Sequence, residues 1–277
     1  MKFCIVGCGL IGKKRAKNLS KKHEVTWAVD YDLDLCKQLS LEFDNCNISQ
    51  DWKTAISSDL VDAVIIAVPH NLLSKISIYA LKNNKHVFVE KPGGRNLIDL
   101  KNIFKIAKEN KLVVQVGYNH RFHPSFIEAK KIIDKGQIGP LMYIKGSYGH
   151  GGRKNYDKEW RFNKKISGGG ELLDQGSHLI DLSQMFLGSF TKVSGSLPTY
   201  FWKGNVEDNA FLLLENKIGN VAWLHTSWTE WKNKFIFEIF GQNGKIQIEG
   251  LGGSYGVEKL TLYKMKKELG PPNTTAR

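Results

Sequence analysis

The chain has 277 residues, 42% of them hydrophobic and 24% charged, which suits one large or two ordinary globular domains and excludes a disordered chain. No apolar run approaches the ~20 residues needed to span a bilayer, and the four cysteines (Cys4, Cys8, Cys36 and Cys46) form neither a CxxC pair nor a zinc-spaced group with histidine, so reduced thiols and no metal site are expected. The net charge of +13 is spread over lysine pairs such as Lys13-Lys14, Lys130-Lys131 and Lys266-Lys267, without an aromatic-interleaved patch; a lysine-rich surface is expected and nucleic-acid binding is not, with steering of anionic substrates left open.

The first residues enter a strand over 2–6 at once, which reads as a chain without a leader and a cytoplasmic protein. Gly7-Cys8-Gly9-Leu10-Ile11-Gly12 then opens a helix over 11–21. A lone GxGxxG is a weak signal, but this one follows a strand, precedes a helix and has Asp30 eighteen residues after Gly12, at the end of a second strand over 24–29. In that context Gly7 makes the tight turn, Gly9 lets a pyrophosphate approach the backbone, and Gly12 packs helix on strand, with Leu10 and Ile11 in the same turn. The plain alternative is a tight turn with a surface aspartate. A carboxylate at Asp30 accepts hydrogen bonds from a ribose diol and repels a 2′-phosphate. Tyr31 and Asp32 follow it rather than arginine, so NAD is expected in preference to NADP.

A helix over 32–43 comes next. Residues 61–68 form a continuous apolar run, as in a parallel strand covered on both faces; Ala67 and Pro69 at its end either line a nucleotide crevice or simply terminate the strand. After a helix over 71–83, a strand over 86–89 runs into Glu90-Lys91-Pro92, which puts a lysine at the carboxyl end of a strand, where open α/β sheets bind ligands. Pro92 restricts Lys91 to extended geometry. Aimed at a cofactor, its ammonium would hydrogen-bond a substrate hydroxyl and stabilise developing oxyanion charge; the plain alternative is a surface lysine. An amphipathic helix over 96–110 with Asn96 as its cap, and a strand over 112–116, complete a βαβ alternation that predicts a doubly wound parallel sheet over residues 1–118.

The style changes over residues 119–277. Asn119 and Arg121, in Tyr118-Asn119-His120-Arg121, follow the last sheet strand at its ligand-binding edge. Pro124 suits the first turn of a helix over 124–135. Strands are expected over 141–148, 192–200, 209–215, 221–229, 235–240, 245–249 and 259–263, several joined by Gly/Asn turns such as Gly241-Gln242-Asn243-Gly244. One helix over 171–186 interrupts them, and residues 270–275 read as loop. This is an α+β domain with a mostly antiparallel sheet. On the helix, Asp174 and His178 share a face at i, i+4, where a carboxylate orients an imidazole for acid/base work or simply makes a surface pair. Gly176 between them costs helix stability, about 1 kcal/mol relative to alanine, and implies that something approaches the backbone closely. Trp160, Arg161 and His150 lie in the preceding loops and read equally as substrate contacts or structural residues. His225, near Trp223 and Trp228, reads as a sheet or interface residue, and the apolar faces of 221–229 and 235–240 suggest a sheet surface that needs cover.

These motifs together resemble the Gfo/Idh/MocA oxidoreductases, named for glucose–fructose oxidoreductase and inositol 2-dehydrogenase, over nearly the whole chain. Gly7, Gly9 and Gly12 match the nucleotide fingerprint, Glu90, Lys91 and Pro92 the Glu-Lys-Pro motif, and Asp174, Gly176 and His178 the Asp-x-Gly-x-His region; residues 238–244 look like the family's sheet hairpin. The resemblance implies a Rossmann domain followed by an open-faced sheet that packs against another subunit, in a dimer or tetramer. It also implies oxidation or reduction of a carbinol carbon on a sugar, cyclitol or sugar derivative, with nucleotide-linked sugars among the candidates. Carried over by position, Glu90 and Lys91 lie at the cofactor, Lys91 anchors substrate near the nicotinamide, His178 takes or returns the hydroxyl proton, and Asp174 assists or orients it. Two departures stand out. The histidine that often follows the crevice proline by four residues is Leu73 here, and family members continue into a further helix, so the sequence reads as shortened at its C-terminus. Two rival expectations are a glycoside hydrolase that uses NAD transiently and a non-catalytic nucleotide sensor; the presence of Lys91, Asp174 and His178 together argues against the sensor.

Overall fold

The computed structural model describes residues 1–19 and 22–266, and the backbone over 273–276. It divides into two units, residues 1–117 with 165–168, and residues 118–164 with those from 169 onward.

The first unit is a six-stranded, wholly parallel sheet. Its strands are β1 (Lys2–Val6), β2 (Glu24–Val29), β3 (Asn47–Ser49), β4 (Ala63–Ile66), β5 (His86–Val89) and β6 (Val114–Val116), in the spatial order β3-β2-β1-β4-β5-β6. The connecting helices are α1 (Leu10–Lys17), α2 (Leu33–Ser40), α3 (Trp52–Ile56), α4 (His70–Lys82) and α5 (Leu97–Glu109). Both faces of the sheet are buried: Cys4 and Val6 of β1 join a core with Val64, Ile66, Leu73 and Ile76, while Ile5 joins one with Ala16, Ala28 and Leu39 on the other side. That two-sided burial is why these strands read as unbroken apolar runs rather than alternations. Caps follow the sequence closely. Asp32 accepts from the Asp34 N–H, Asp51 from that of Lys53, and Asn96, as expected, from that of Asp99, each satisfying an amide that the first helical turn leaves open. Two elements were not expected, β3 and α3; three- and five-residue segments are too short to carry a periodicity. Helix α1 ends at Lys17, and residues 20–21 of its expected span lie outside the described residues.

The second unit is built on an eight-stranded sheet. Its helices are α6 (Pro124–Asp134), the single turn α7 (Lys164–Ser167), which is shared with the first unit, and α8 (Ser177–Leu187). Its strands are β7 (Leu141–Gly149), β8 (Phe190–Ser196), β9 (Asn209–Asn216), β10 (Val221–Ser227), β11 (Lys234–Gly241), β12 (Gly244–Glu249), β13 (Lys259–Lys264) and β14 (Asn273–Ala276), in the order β14-β13-β12-β11-β7-β10-β9-β8. Every pairing is antiparallel except β7 with β10. Strand β11 alternates half-buried and buried residues along its whole length. Its buried Phe237 and Ile239 pack with Phe126 and Ile132 of α6 and Leu179 and Leu182 of α8. The opposite face stays partly open, with a cavity of about 370 Å³ lined by Lys145, Phe211, Trp223, His225, Ile236 and Glu238.

Two expectations are corrected here. Residues 270–275 are not all loop: Asn273–Ala276 pairs as an edge strand with β13, while 270–272 lie outside the described residues. The expected helix over 171–186 is not one regular helix. Leu172–Gly176 forms a π-helical turn before α8 begins at Ser177, so the i, i+4 spacing of Asp174 and His178 does not carry the α-helical face assignment drawn from it.

Candidate active site

In the first unit the strand order reverses between β1 and β4, and an open α/β sheet binds its ligand at the carboxyl ends of such a pair. Gly7 follows β1 with φ +96°, a left-handed conformation that glycine adopts without a Cβ penalty, and a Cβ there would run into the carbonyl of Ala67 at the end of β4. Gly12 is confined as tightly, because a Cβ would meet the Gly7 carbonyl and Ile5. The turn, helix α1 and the end of β4 are thus packed backbone against backbone. Gly9 differs: nothing lies within 4 Å of where its Cβ would be, and it caps α1 without any side-chain hydrogen bond. The open space beside Gly9, at the N-terminus of α1, fits the close approach of a pyrophosphate. Leu10 and Ile11 beside it are 70% and 42% exposed, an apolar surface next to the turn.

Asp30 ends β2 half-buried. Its Oδ2 accepts from the Cys8 N–H at 2.8 Å and its Oδ1 from the Asp32 N–H at 3.1 Å. The carboxylate therefore shapes the glycine turn and retains lone pairs for further donors. Pro69 caps α4, and the adjacent His70 Nδ1 lies 2.8 Å from the Ser167 carbonyl. At the end of β5, the Lys91–Pro92 peptide is cis and the Glu90 carboxylate is ion-paired with Arg15 of α1, whose guanidinium also lies over the Phe88 ring. Glu90 thus ties α1 to the end of β5, next to Lys91.

In the second unit the polar cluster comes from four separate segments. Asn119 and Arg121 lie in a 3₁₀ turn, Asn119–Phe122. The Arg121 fork closes on Asp181, with Nε to Oδ2 at 2.7 Å and Nη2 to Oδ1 at 2.6 Å, so this guanidinium anchors the turn to α8. Trp160 and Arg161 lie in another 3₁₀ turn, held by a small aromatic core of Tyr156, Phe162, Val206 and Trp228. Arg161 stacks on Trp160 at 4.8 Å, and its Nε donates to Asp174 Oδ2 and its Nη1 to Glu159 Oε2, both at 3.1 Å. Burial alone would lower the Arg161 pKa, but the charges of Asp174, Tyr156 and Glu159 outweigh it and hold the guanidinium up. His150 is pulled down, first by burial and then by Arg153 and Arg161 against the opposing pull of Asp174.

His178 opens α8 in the interior, 5% exposed, with the Tyr118 ring edge-on at 5.8 Å and the His120 ring stacked on it at 3.9 Å. The close approach that Gly176 implied comes from the protein itself: a Cβ there would press on the Leu172 side chain and on Thr226 Oγ1 of β10. The glycine run before the π turn has the same logic. Gly170 has no room for a Cβ against the Glu207 backbone, and Glu207 Oε1 accepts from the N–H groups of Gly170 (2.9 Å) and Leu172 (3.3 Å). The expected set omits Arg15, Glu207 and the role of His120. Each acts on a residue at least 35 positions away, so only the fold brings it to its partner. His225 lies in β10, stacked on Phe211 at 4.4 Å and hydrogen-bonded to Asn209, as suits a sheet residue.

Two family models match the chain: the oxidoreductase family with an NAD-binding Rossmann fold over residues 1–118, and the GFO/IDH/MocA C-terminal domain over 126–247. Among curated proteins, a levoglucosan dehydrogenase of Pseudarthrobacter phenanthrenivorans is 32% identical over 60% of this chain, a match that spans 43% of the relative's own length. The 2,7-anhydro-N-acetylneuraminate hydratase of Escherichia coli is 29% identical over 89% of the chain and 67% of the relative. The scyllo-inositol 2-dehydrogenase (NAD+) of Bacillus subtilis is 30% identical over 90% and 73%. A solved levoglucosan dehydrogenase in complex with NADH superposes with a TM-score of 0.88 at 23% identity, covering all of this chain and 79% of that one, a likeness of fold.

Proposed function

The chain belongs to the Gfo/Idh/MocA oxidoreductase family, with an NAD-binding Rossmann domain, and from that premise we propose that it transfers hydride between NAD and a hydroxyl-bearing carbon of a sugar, cyclitol or sugar derivative, nucleotide-linked sugars included. The observation that carries this reading is the uncapped, open N-terminus of α1 above Gly9 in the same fold unit as Lys91, with a buried histidine opening α8 in the other. NAD, when bound, supplies the hydride acceptor. Gly7, Gly9, Leu10, Ile11, Gly12, Asp30, Ala67 and Pro69 hold it, with Glu90 keeping β5 in register with α1. The Lys91 ammonium donates to the reacting hydroxyl and favours developing charge on its oxygen. His178 takes that proton, or returns it in the reverse direction. Asp174, fixed by Arg161, orients the polar side of the site, and Asn119 and Trp160 complete the substrate contacts.

A hydratase relative at 29% identity favours one second reading, a redox-neutral reaction in which hydride leaves the sugar and returns within a single turnover. The chain acts in the cytoplasm as a homo-oligomer in this proposal. Support comes from four free cysteines, three of them buried, with burial pushing the Cys46 thiol up to about 11, and from Leu213 and Trp223, about half exposed on the open sheet face. The test is NADH formation with a panel of cyclitols, free sugars, anhydro sugars and sugar nucleotides. Net NADH with one class supports the dehydrogenase. Product without NADH accumulation supports the redox-neutral reading, and no product from any class despite NAD binding sinks both.

A further inference from the structure

The His120–His178 stack does more than fill space. The two rings lie 3.9 Å apart and 25° from parallel, at 6% and 5% exposure, and come from segments on either side of β7. We propose that His120 is the positioning residue of His178, and that the two imidazoles work as one unit that carries a single proton over the working pH range. The inference rests on the acid/base role proposed for His178.

The surroundings are specific. Tyr118 meets His178 edge-on at 5.8 Å, and Tyr148 of β7 lies 6.3 Å away; His120 in turn contacts Tyr148 at 5.5 Å, Phe235 of β11 at 6.1 Å and His123 at 5.4 Å. Among the carboxylates of these segments, Asp181 pairs with Arg121, Asp174 with Arg161, and Glu258 lies 2.8 Å from His123 Nδ1 and accepts from the Ser125 N–H at 2.7 Å. Glu171, fully buried, begins the same helical segment. Two imidazolium rings at this distance repel strongly in a buried setting. A proton arriving on His178 is therefore accommodated as long as His120 is neutral, and protonation of His120 closes His178 as an acceptor. Stacked faces cannot pass a proton directly, so His120 acts through the orientation and charge of its neighbour. Interacting groups of this kind titrate in linked macroscopic steps that belong to the pair.

The test is a titration of the imidazole ring protons by NMR on the full chain, comparing wild type with His120→Phe, together with turnover of wild type, His120→Phe and His120→Ala. In the wild type the His178 signal is expected to move in two linked steps, and in His120→Phe in a single step. The phenyl ring preserves the stack, so this variant is expected to retain about a third of the wild-type kcat, while His120→Ala falls at least tenfold, with KM for NAD unchanged in both. A His178 titration identical in wild type and His120→Phe overturns the coupling. Equal losses of kcat in the Phe and Ala variants overturn the positioning role, and if the Ala variant does not fold, the titration decides. Wild type without dehydrogenase turnover would remove the reaction proposed for His178, while the titration still decides whether the pair is coupled.

Discussion

In the first unit, Gly7, Asp30, Ala67 and Lys91 each lie within two residues of the carboxyl end of a strand, so one topological rule collects all four. In the second, His120, Arg161, Asp174 and His178 come from two 3₁₀ turns, a π turn and the start of a helix. Their arrangement depends on supporting contacts: Arg121 on Asp181, Glu207 on Gly170, and the Tyr156–Trp228 core beneath Arg161. A parallel sheet builds a site by register, whereas the mixed unit builds one by bracing loops against each other. Substitutions in the first should therefore act by backbone collision, and in the second by loss of braces.

The largest effect should come from the two residues to which the proposed reaction assigns the hydroxyl and its proton. His178→Ala and Lys91→Met are expected to lower kcat by about 10³-fold, the middle of the range for acid/base and oxyanion-stabilising groups. NADH fluorescence should still report binding in both, and unchanged turnover in either would remove that residue from the mechanism. Next is Gly12→Val, whose side chain would displace the Gly7 carbonyl. It should abolish dinucleotide binding and cost roughly 3 kcal/mol through overpacking, seen as loss of NADH fluorescence enhancement and an earlier denaturant midpoint. Retained binding would break the claim that this turn is packed backbone to backbone.

Asp208 is the corresponding brace in the second unit. It is fully buried and accepts from the N–H groups of Tyr200 (2.9 Å), Phe201 (2.8 Å) and Trp202 (2.9 Å) and from Asn209 Nδ2 (3.0 Å). Asp208→Ala strands those donors and should cost about 3 kcal/mol, measured by urea unfolding, while NAD affinity in the other unit stays unchanged. A loss below about 0.5 kcal/mol would show that the loop does not depend on this carboxylate.

The smallest effect is a pH dependence. Burial pushes Glu258 up, but hydrogen bonds from Ser125 and His123 outweigh it and hold the carboxyl below its ordinary value of 4.5. A folded-state value below the unfolded one contributes stability that is fully present above pH 4.5 and is lost as pH falls through the folded value. Glu258→Gln should therefore flatten the acid decline of stability by about 1 kcal/mol or less, read from urea midpoints between pH 6 and 3.5. An unchanged slope would show that Glu258 titrates alike in folded and unfolded chains. His150 adds a term of the same sign, because an imidazole held by burial below its ordinary value costs stability as pH falls through 6.5 toward its folded value.

The parallel sheet was legible because its signals are local. An apolar run, a glycine turn and a helix cap each occupy a few consecutive residues, and Asn96, Gly7 and Gly12 have the roles their spacing implied. Much of the antiparallel sheet was legible for the same reason, from alternation and from the Gly241–Gly244 hairpin. The segment 171–186 misled because a π turn and an α-helix share an apolar pattern over so short a stretch, whereas Gly176 rightly signalled a close approach to the backbone, which Leu172 and Thr226 make.

By itself, then, the sequence determined the fold class, the dinucleotide turn and the chemical types in the candidate site, since turns, strands and caps are set by neighbours along the chain. Only the tertiary structure decided which of those groups are braced and by what: Arg15 on Glu90, Arg161 on Asp174, His120 on His178. Ion pairs and ring stacks form between separate segments of the chain, at distances set by the packing of whole elements, so they leave no periodicity in the residues that make them.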